Sequence, residues 1–397
     1  MEVNTQVNTE VNLNDHESLE SLFGELERIA DPRLDEPGTM GRFIDMKARK
    51  LGIPIHGTFE LTPLCNLDCK MCYVHLNKNQ LCGKTLLTAQ QWKSLMDQAI
   101  EAGMLDAILT GGECLTYPGF DELYLHLQQR GIPTTVLTNG LLLTEERIAF
   151  FTRYPPKAIQ ISLYGSSEEE YEAVTGHRCF QRVLSNIRNL KGRGIPVSIA
   201  ITPNHFLPDG GEALVKMAHE LGLWYTINTA LFRPRAETGR QHDPIDLQLE
   251  GYIRLHLLRR MLTGKPASAC TACSLPEPAK AGKPVRGLLC SAGNSSFDIC
   301  WDGTMKPCSS FEDVAAYPLQ TGFASAWKAI RAASLAYPLP AECTGCAYRA
   351  ICPACVMVHQ QDAPAGHASK TVCARAKKIV SSGLVELSAL NMTKGDG

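Results

Sequence analysis

Residues 61–74 read LTPLCNLDCKMCYV and place three cysteines, Cys65, Cys69 and Cys72, directly after a β-like run. Their spacing is Cys-x3-Cys-x2-Cys. A closed structural zinc or iron-sulfur site takes four protein ligands, whereas a catalytic site leaves one coordination position open. Because the next cysteine along the chain is Cys82, the three local thiolates favour an open metal site. Zinc with Cys82 as a fourth ligand remains the alternative.

The composition is that of a globular protein with no overall affinity for polyanions. Of the 397 residues, 44% are apolar and 20% are charged, and the formal net charge is -2. Neither nucleic acid nor an anionic membrane is therefore expected as a partner. We find no signal-peptide pattern and no apolar run long enough to span a bilayer, so we expect a cytoplasmic protein. The 16 cysteines predict bound metal there, because the cytosol keeps thiols reduced.

Short β-like runs alternate with amphipathic helical runs between residues 57 and 229, and this alternation predicts a parallel sheet. The six predicted strands are 58–61, 107–110, 134–137, 158–162, 197–201 and 225–228. The predicted helices are 88–102, 120–130, 144–154, 180–192, 211–221 and 247–262. The predicted fold is α/β, a partial (β/α)6 TIM-like barrel with a small cysteine-rich C-terminal domain and with function at the C-terminal ends of the strands.

The predicted domain organisation has five parts. A composition rich in Pro, Gly, Ala and Cys begins at Gly264 and marks the main boundary, while residues 18–30 carry an apolar stripe at helical spacing. The parts are a disordered N-terminus (1–16), an N-terminal helical segment (17–54), a core domain (55–263), the cysteine-rich domain (264–380) and a C-terminal tail (381–397).

The second predicted strand ends in TGGE, residues 110–113. Its two glycines let the backbone approach a ligand closely, and the carboxylate of Glu113 could accept hydrogen bonds from an ammonium group. Alone, such a tetrapeptide is more often a turn. It gains weight from its position, because this strand is expected to lie beside the strand that carries the cysteines.

CNLDCKMC followed by TGGE resembles the radical S-adenosylmethionine (SAM) superfamily, over roughly residues 55–235. In that family three cysteines bind three irons of a 4Fe-4S cluster, and SAM chelates the fourth iron. The resemblance implies that Cys65, Cys69 and Cys72 hold such a cluster. It also implies a SAM site, for which the candidate residues are Gly111, Gly112, Glu113, Ser162, Asn139, Tyr73 and Arg178.

Individual SAM contacts follow from the same resemblance. Gly111, Gly112 and Glu113 are expected to hold the SAM ammonium, and Ser162 the ribose or carboxylate. The family commonly has an aromatic residue just before the third cysteine, beside the adenine, whereas this chain has Met71 there and Tyr73 after it. Further candidates to bind a carboxylate are Arg178, Arg233 and Arg235.

The C-terminal third carries a second set of cysteines. They are Cys290, Cys308, Cys343, Cys346, Cys352, Cys355 and Cys373. Paired Cys-x2-Cys knuckles would also suit zinc ribbons. Cys300 lies in a probable strand and is expected in the core.

The order of these cysteines resembles the SPASM domain, which carries auxiliary 4Fe-4S clusters in radical SAM enzymes that modify peptides and proteins. Relatives usually have three residues between the last two cysteines of the central motif, whereas this chain has two between Cys352 and Cys355. The resemblance implies an outer cluster and an inner cluster, held respectively by Cys343, Cys346, Cys352 and Cys373, and by Cys290, Cys308 and Cys355. Cys273 or Cys270 would complete the inner set, or one iron stays open.

The two resemblances together imply a radical SAM/SPASM oxidoreductase. Such an enzyme cleaves SAM reductively to a 5'-deoxyadenosyl radical and oxidises a ribosomally made peptide or a protein side chain, for example by forming a cross-link. The expected electron donor is flavodoxin or ferredoxin. The first 55 residues offer two helices and no hairpin, so we expect leader recognition by a separate protein or by the main domain.

The sequence leaves three other functions open. In the sulfatase-maturing branch an aspartate follows the cysteine matched by Cys308, whereas this chain has Ser309, which disfavours that branch. A radical SAM enzyme acting on a small metabolite would use the first cysteine motif in the same way, but its substrate would not be a peptide. A non-catalytic zinc scaffold would use the C-terminal knuckles instead.

Overall fold

The computed structural model describes most of the chain between residues 39 and 382. The described residues are 39–81, 83–228, 231–239, 249–263, 287–288, 290–343, 346, 348, 352, 355–360, 363–364 and 366–382. The chain divides into two compact units, Met1–Lys47 and Ala48–Gly397. The predicted N-terminal disorder and helix, the boundary at Gly264 and Cys82, Cys270 and Cys273 all lie outside the described residues. The domain boundaries therefore stay predictions.

Six parallel strands lie side by side in chain order. They are β1 (His56–Glu60), β2 (Asp106–Thr110), β3 (Thr134–Thr138), β4 (Ala158–Leu163), β5 (Val197–Ile201) and β6 (Trp224–Ile227). Each overlaps one of the six predicted strands, and helices connect successive strands. The predicted partial barrel is confirmed.

The sheet has eight strands rather than six, because the C-terminal third adds two. β7 (Ser296–Ile299) pairs parallel with β1 on the side opposite β2, and β8 (Met305–Lys306) pairs antiparallel with β7. Phe297 of β7 is fully buried and packs edge-on against Phe59 of β1, with ring centroids 6.0 Å apart. Cys300, directly after β7, is 3% exposed, which confirms its place in the core.

Helices follow most of the strands, and others lie in the N-terminal and C-terminal parts of the described chain. They are α1 (Thr39–Leu51), α2 (Ala89–Glu101), α3 (Phe120–Gln129), α4 (Glu145–Arg153), α5 (Glu168–Thr175), α6 (Phe180–Gly192), α7 (Glu212–Glu220), α8 (Leu249–Thr263), α9 (Pro318–Thr321), α10 (Phe323–Ala336), α11 (Val356–His359) and α12 (Lys370–Ser381). α2, α3, α4, α6, α7 and α8 match predicted helices, α1 lies within the predicted N-terminal helical segment 17–54, and the others were not predicted. Single 3-10 turns occupy Lys78–Leu81, Cys114–Thr116, Ala236–Thr238 and Ala341–Cys343. Among the described residues, no helix could cross a membrane.

Alternation along the strands separates a packed face from a polar face. On β4, Ile159, Ile161 and Leu163 are buried against the helices, whereas Gln160 and Ser162 point to the other side of the sheet. Successive strand residues point to opposite faces, so neighbouring strands repeat this division. The inner face of the barrel therefore carries polar side chains, and these side chains form the site described below.

Candidate active site

A cavity of about 590 Å³ lies inside the barrel, toward the C-terminal ends of its strands. Its wall combines inward side chains of the strands with the loops that follow them. From the strands and their ends come Thr58, Glu60, Ile108, Thr110, Gly111, Gly112, Leu137, Thr138, Asn139, Gln160, Ser162, Ala200, Thr202, Asn228 and Asp298. The cysteine loop after β1 contributes Cys65, Cys69 and Cys72. This is the part of a barrel where function is expected.

The cysteine loop is held in place by the end of α5, a helix that was not predicted. The backbone N–H of Lys70 donates to the carbonyl of Val174 (2.9 Å), and that of Asp68 donates to Thr175 (3.2 Å). The amide of Cys72 donates to the carbonyl of Cys69 (3.0 Å), which closes a tight turn between two of the cysteines. These backbone hydrogen bonds give the cysteine loop a defined shape.

The three thiols form one buried and electrostatically coupled group. Burial raises the pKa of Cys65 to about 12 and that of Cys69 well above its usual range, and the neighbouring thiolates add to both shifts. Backbone N–H groups point at the sulfurs, from Leu67 to Cys65 (3.4 Å) and from His75 to Cys72 (3.3 Å). Three thiolates in this position need a cation to neutralise them, so the group fits an iron-sulfur cluster.

A single metal ion fits the described residues less well. Within the part of the chain that the structure describes, no three His, Cys, Asp or Glu side chains are placed to hold one ion. The thiols of Cys65, Cys69 and Cys72 instead line one wall of the cavity. The zinc alternative depends on Cys82, which lies outside the described residues.

Gly111 and Gly112 bring the end of β2 against the backbone of the cysteine loop. A Cβ on Gly111 would lie 2.4 Å from the carbonyl oxygen of Thr62, and one on Gly112 would lie 2.5 Å from that of Leu64. The amide of Gly112 donates to the carbonyl of Thr62 (2.6 Å). Only glycine permits this approach, and both glycines also line the cavity.

Glu113 lies behind the cavity wall rather than on it. It is 1% exposed, and its carboxylate accepts hydrogen bonds from the Thr138 hydroxyl (2.8 Å), the Asn139 amide (2.8 Å) and the Leu115 amide (3.1 Å). Burial raises its pKa, while these hydrogen bonds oppose the shift. In this arrangement Glu113 fixes the end of β3, and its expected contact with the SAM ammonium stays a prediction.

Asn139 and Ser162 lie in the cavity, together with a tyrosine that the sequence analysis missed. The Asn139 side-chain amide donates to Asn66 (2.7 Å) and approaches the sulfur of Cys65 (3.7 Å). The Tyr164 hydroxyl shares hydrogen bonds with Ser162 and with the thiol of Cys69. Tyr164 is two residues after Ser162 and shares its side of the strand, which is the signal that could have identified it.

The two remaining candidates for SAM binding differ in position. Tyr73 lines the cavity, and its hydroxyl lies 3.1 Å from that of Ser309. Arg178 does not line the cavity. It is half exposed and forms ion pairs with Glu169 (2.6 Å) and Glu172 (3.0 Å) on the surface of α5.

Arg235 forms a buried ion pair with Glu60 at the end of β1. Its two terminal nitrogens donate to the two carboxylate oxygens, at 2.9 and 2.7 Å, and both side chains are almost fully buried. The same guanidinium reaches the carbonyl of Ser309 (3.2 Å), and the Arg235 backbone amide donates to the carbonyl of Tyr73 (3.0 Å). Arg235 was a candidate to bind a carboxylate bidentately. It does so, and the carboxylate is that of Glu60.

Asp298 is an acidic cavity residue that the sequence analysis did not identify. It lies on β7 opposite Thr58, and its carboxylate accepts hydrogen bonds from the Thr58 hydroxyl and the Ser309 amide. Burial raises its pKa to about 7. Residue 309 is a serine, whereas the sulfatase-maturing branch has an aspartate there. The carboxylate of Asp298, on β7, nevertheless lies beside the backbone amide of Ser309. The described residues that line the cavity include no Lys, Arg or His to neutralise it.

The C-terminal cysteines fall into two groups in space. Burial raises the pKa of Cys308 to about 12, with Cys290 and Cys355 among its charged neighbours. Burial also raises the pKa of Cys343 to about 11, with Cys352, Cys346 and Cys373 nearby. These are the same two sets that the SPASM resemblance implies, apart from Cys273, which lies outside the described residues. Among the described residues, none of these seven cysteines forms a disulfide.

The chain is similar in sequence to proteins of known function. Residues 59–221 match the sequence model of the Radical SAM superfamily. The antilisterial bacteriocin subtilosin biosynthesis protein AlbA of Bacillus subtilis (strain 168) is 31% identical over 152 residues, which cover 38% of this chain and 33% of AlbA. A PqqA peptide cyclase of Ruegeria pomeroyi is 27% identical over 276 residues, which cover 66% of this chain and 69% of the cyclase. The chain thus spans about a third of the length of AlbA.

The fold is shared with SuiB of Streptococcus suis. Its crystal structure with bound S-adenosylmethionine matches with a TM-score of 0.65 at 17% identity, over 89% of this chain and 87% of SuiB. The cysteine motif and TGGE both lie inside the matched residues 59–221, and the structure brings them to one cavity. The chain therefore carries a radical SAM domain over residues 59–221, and domains of this family bind a 4Fe-4S cluster and SAM at such a cysteine loop.

Proposed function

We propose that this protein is a radical SAM oxidoreductase that cleaves SAM reductively and uses the 5'-deoxyadenosyl radical to oxidise a ribosomally made peptide or a protein side chain. The observation that carries the proposal is the single cavity in which Cys65, Cys69 and Cys72 face the glycine edge of β2. A 4Fe-4S cluster on these thiols would supply the low-potential electron for SAM cleavage.

The residues around the cysteines would bind and orient SAM. Gly111 and Gly112 expose backbone at the cavity, and Asn139 and Ser162 offer an amide and a hydroxyl there. Glu113 would act indirectly. Its carboxylate accepts a hydrogen bond from the backbone N–H of Asn139, which fixes the position from which the Asn139 side chain extends. Tyr164 would keep the Cys69 sulfur and Ser162 in a fixed relation.

The opposite wall would receive the substrate. Leu231 and Phe232, after β6, line the cavity beside Tyr73, whose ring is 5.8 Å from that of Phe232. Such apolar groups exclude water from a reactive radical. Asp298 would accept a hydrogen bond from the substrate group that is oxidised, because no cavity-lining cation occupies its carboxylate.

A peptide substrate is supported by the relatives and by the C-terminal thiols. AlbA is named for bacteriocin biosynthesis, and the related cyclase is named for a peptide. Two auxiliary 4Fe-4S clusters are proposed, one near Cys290, Cys308 and Cys355 and one on the outer set, and they would remove the second electron of the oxidation. A flavodoxin or ferredoxin would supply electrons, and a separate protein or the main domain would recognise the leader.

A second candidate is oxidation of a thiol or hydroxyl side chain without a cross-link, as in the sulfatase-maturing branch. Ser309 disfavours that branch on sequence alone. The Asp298 carboxylate next to the Ser309 amide supports it, because an acidic acceptor is available at that place from another strand.

The proposal is tested by counting iron and sulfide after anaerobic reconstitution. A Cys65→Ala, Cys69→Ala, Cys72→Ala variant should fall from about twelve irons to about eight per chain and lose 5'-deoxyadenosine formation. Cys179→Ala, at a buried thiol outside the three sets, is the matched control and should keep both. Bound zinc, or an iron content that the triple substitution leaves unchanged, would overturn the proposal.

A further inference from the structure

The outer face of α12 concentrates positive charge. The helix reads KTVCARAKKIVS, and residues 363–382 contain four Lys or Arg and no Asp or Glu, in a chain whose net charge is -2. Val372, Ala376 and Ile379 are buried and anchor the opposite face of the helix. This arrangement leaves an exposed basic surface, the α12 basic face, formed by Lys370, Lys377 and Lys378.

The charges of this face are not neutralised within the described part of the chain. Lys370, Lys377 and Lys378 are exposed and form no ion pair with a described residue. His367, three residues before Lys370, already pairs with Glu342 at 3.1 Å. The face therefore offers positive charge to an acidic partner, and positive surfaces of this kind accelerate association with such partners.

A thiol lies within the α12 basic face. Cys373 is three residues after Lys370 and four before Lys377, and residues at those spacings are neighbours on a helix surface. Its thiol and those of Cys343, Cys346 and Cys352 belong to the outer set, and all four residues are only partly buried. A redox centre on this set would lie close to the surface and directly beneath the lysines.

We propose that the α12 basic face docks an acidic electron-carrier protein of the flavodoxin or ferredoxin class. The outer cysteines would hold the centre through which electrons enter. One electron at a time would pass to it from the reduced carrier, with no atom transferred. The inference rests on the proposed function, because it needs a redox centre there. We favour a redox protein over a small anionic ligand because partly buried thiols lie within the basic face, and a small anion would make no use of them.

The test compares two charge reversals of equal size. One variant carries Lys370→Glu, Lys377→Glu and Lys378→Glu, and the matched control carries Arg182→Glu, Arg188→Glu and Lys328→Glu, three exposed residues on other helices. Binding of a bacterial flavodoxin to each full-length protein is measured by calorimetry at low and high salt. The α12 variant should bind about tenfold more weakly at low salt and lose most of its salt dependence, whereas the control should match the wild type.

A second readout separates this inference from the proposed function. The ratio of flavodoxin-driven to dithionite-driven 5'-deoxyadenosine formation should fall about tenfold in the α12 variant alone. Absence of dithionite-driven product in every protein would refute the proposed function, while flavodoxin binding would still decide the docking face. Equal loss of binding in both variants, or binding of anionic phospholipid vesicles instead of flavodoxin, would overturn the inference. If the reversal variant does not fold, the Lys→Gln triple variant replaces it.

Discussion

The hydroxyl of Tyr73 lies 3.1 Å from the hydroxyl of Ser309, 236 residues away in the sequence. Tyr73 directly follows Cys72, and Ser309 directly follows Cys308. Arg235 closes the same network, because its amide donates to the Tyr73 carbonyl and its guanidinium to the Ser309 carbonyl. The loop of the first cysteine motif is therefore connected by hydrogen bonds to the strand end that carries a cysteine of the inner set.

Tyr73→Phe should lose the hydroxyl contact without changing the shape of the ring. We expect a loss of about 1 kcal/mol in the free energy of unfolding, because one buried hydrogen bond is removed. Ser309→Ala should have a similar effect, and the double variant should cost less than the sum of the two. Anaerobic urea denaturation of the four proteins measures this coupling. Strict additivity would show that the two hydroxyls do not interact.

Arg235→Met should destabilise the protein strongly. It leaves the buried carboxylate of Glu60 without its partner, and breaking a buried ion pair in this way costs about 3–5 kcal/mol. The double variant Glu60→Gln, Arg235→Met should recover most of that loss, because no buried charge remains. Denaturant midpoints provide the measurement. A double variant no more stable than Arg235→Met would mean that the guanidinium acts through Tyr73 and Ser309 instead.

Gly112→Ala should weaken SAM binding at least about tenfold, because its Cβ would meet the Leu64 carbonyl and push β2 away from the cysteine loop. Calorimetric titration of SAM into the reconstituted protein measures the effect. Gly192→Ala is the matched control, since Gly192 ends α6 with open space around it. That change should leave SAM affinity as it is. Equal affinities for SAM in both variants would argue against the glycine edge as a SAM contact.

Asp298 should make the stability of the metal-free protein depend on pH. Its pKa is raised from 3.8 to about 7 by burial, so the folded state holds the proton more tightly than the unfolded state does. The contribution of this group is then fully present below pH 4 and is lost as pH rises through 7. Thermal unfolding between pH 5 and pH 8 should show a steeper fall for the wild type than for Asp298→Asn. Parallel curves would mean that Asp298 is solvated.

The strands and helices of the barrel could be predicted because their signals are local. Alternation within runs such as VSIAI, and apolar spacing within FQRVLSNIRNLKG, depend on residues a few positions apart. The position of β7 could not be predicted in this way. SFDI has the pattern of a short strand, but its pairing with β1 joins segments far apart in the chain and depends on packing between Phe297 and Phe59. Asp298 was missed for the same reason.

The candidate site was predictable as a set of residues and less so as an arrangement. The thiol motif, the glycines, Asn139 and Ser162 meet at one cavity because all follow neighbouring parallel strands. The direction of a side chain at a strand end depends on its partners, and Glu113 turns toward Thr138 and Asn139. Arg178 follows an acidic helix and pairs with it. Neither preference can be read from spacing alone.

The pairing of β7 with β1 also bears on how the protein is made. β1 is a central strand in the finished sheet, but the ribosome must add about 240 further residues before β7 exists, which takes roughly 12–48 s at bacterial rates. During that interval β1 presents an open edge, and the loop that follows it carries three thiols. A nascent chain in this condition is open to mispairing and oxidation, so rapid translation, which shortens the interval, should favour a correctly assembled product under anaerobic conditions and with chaperones present.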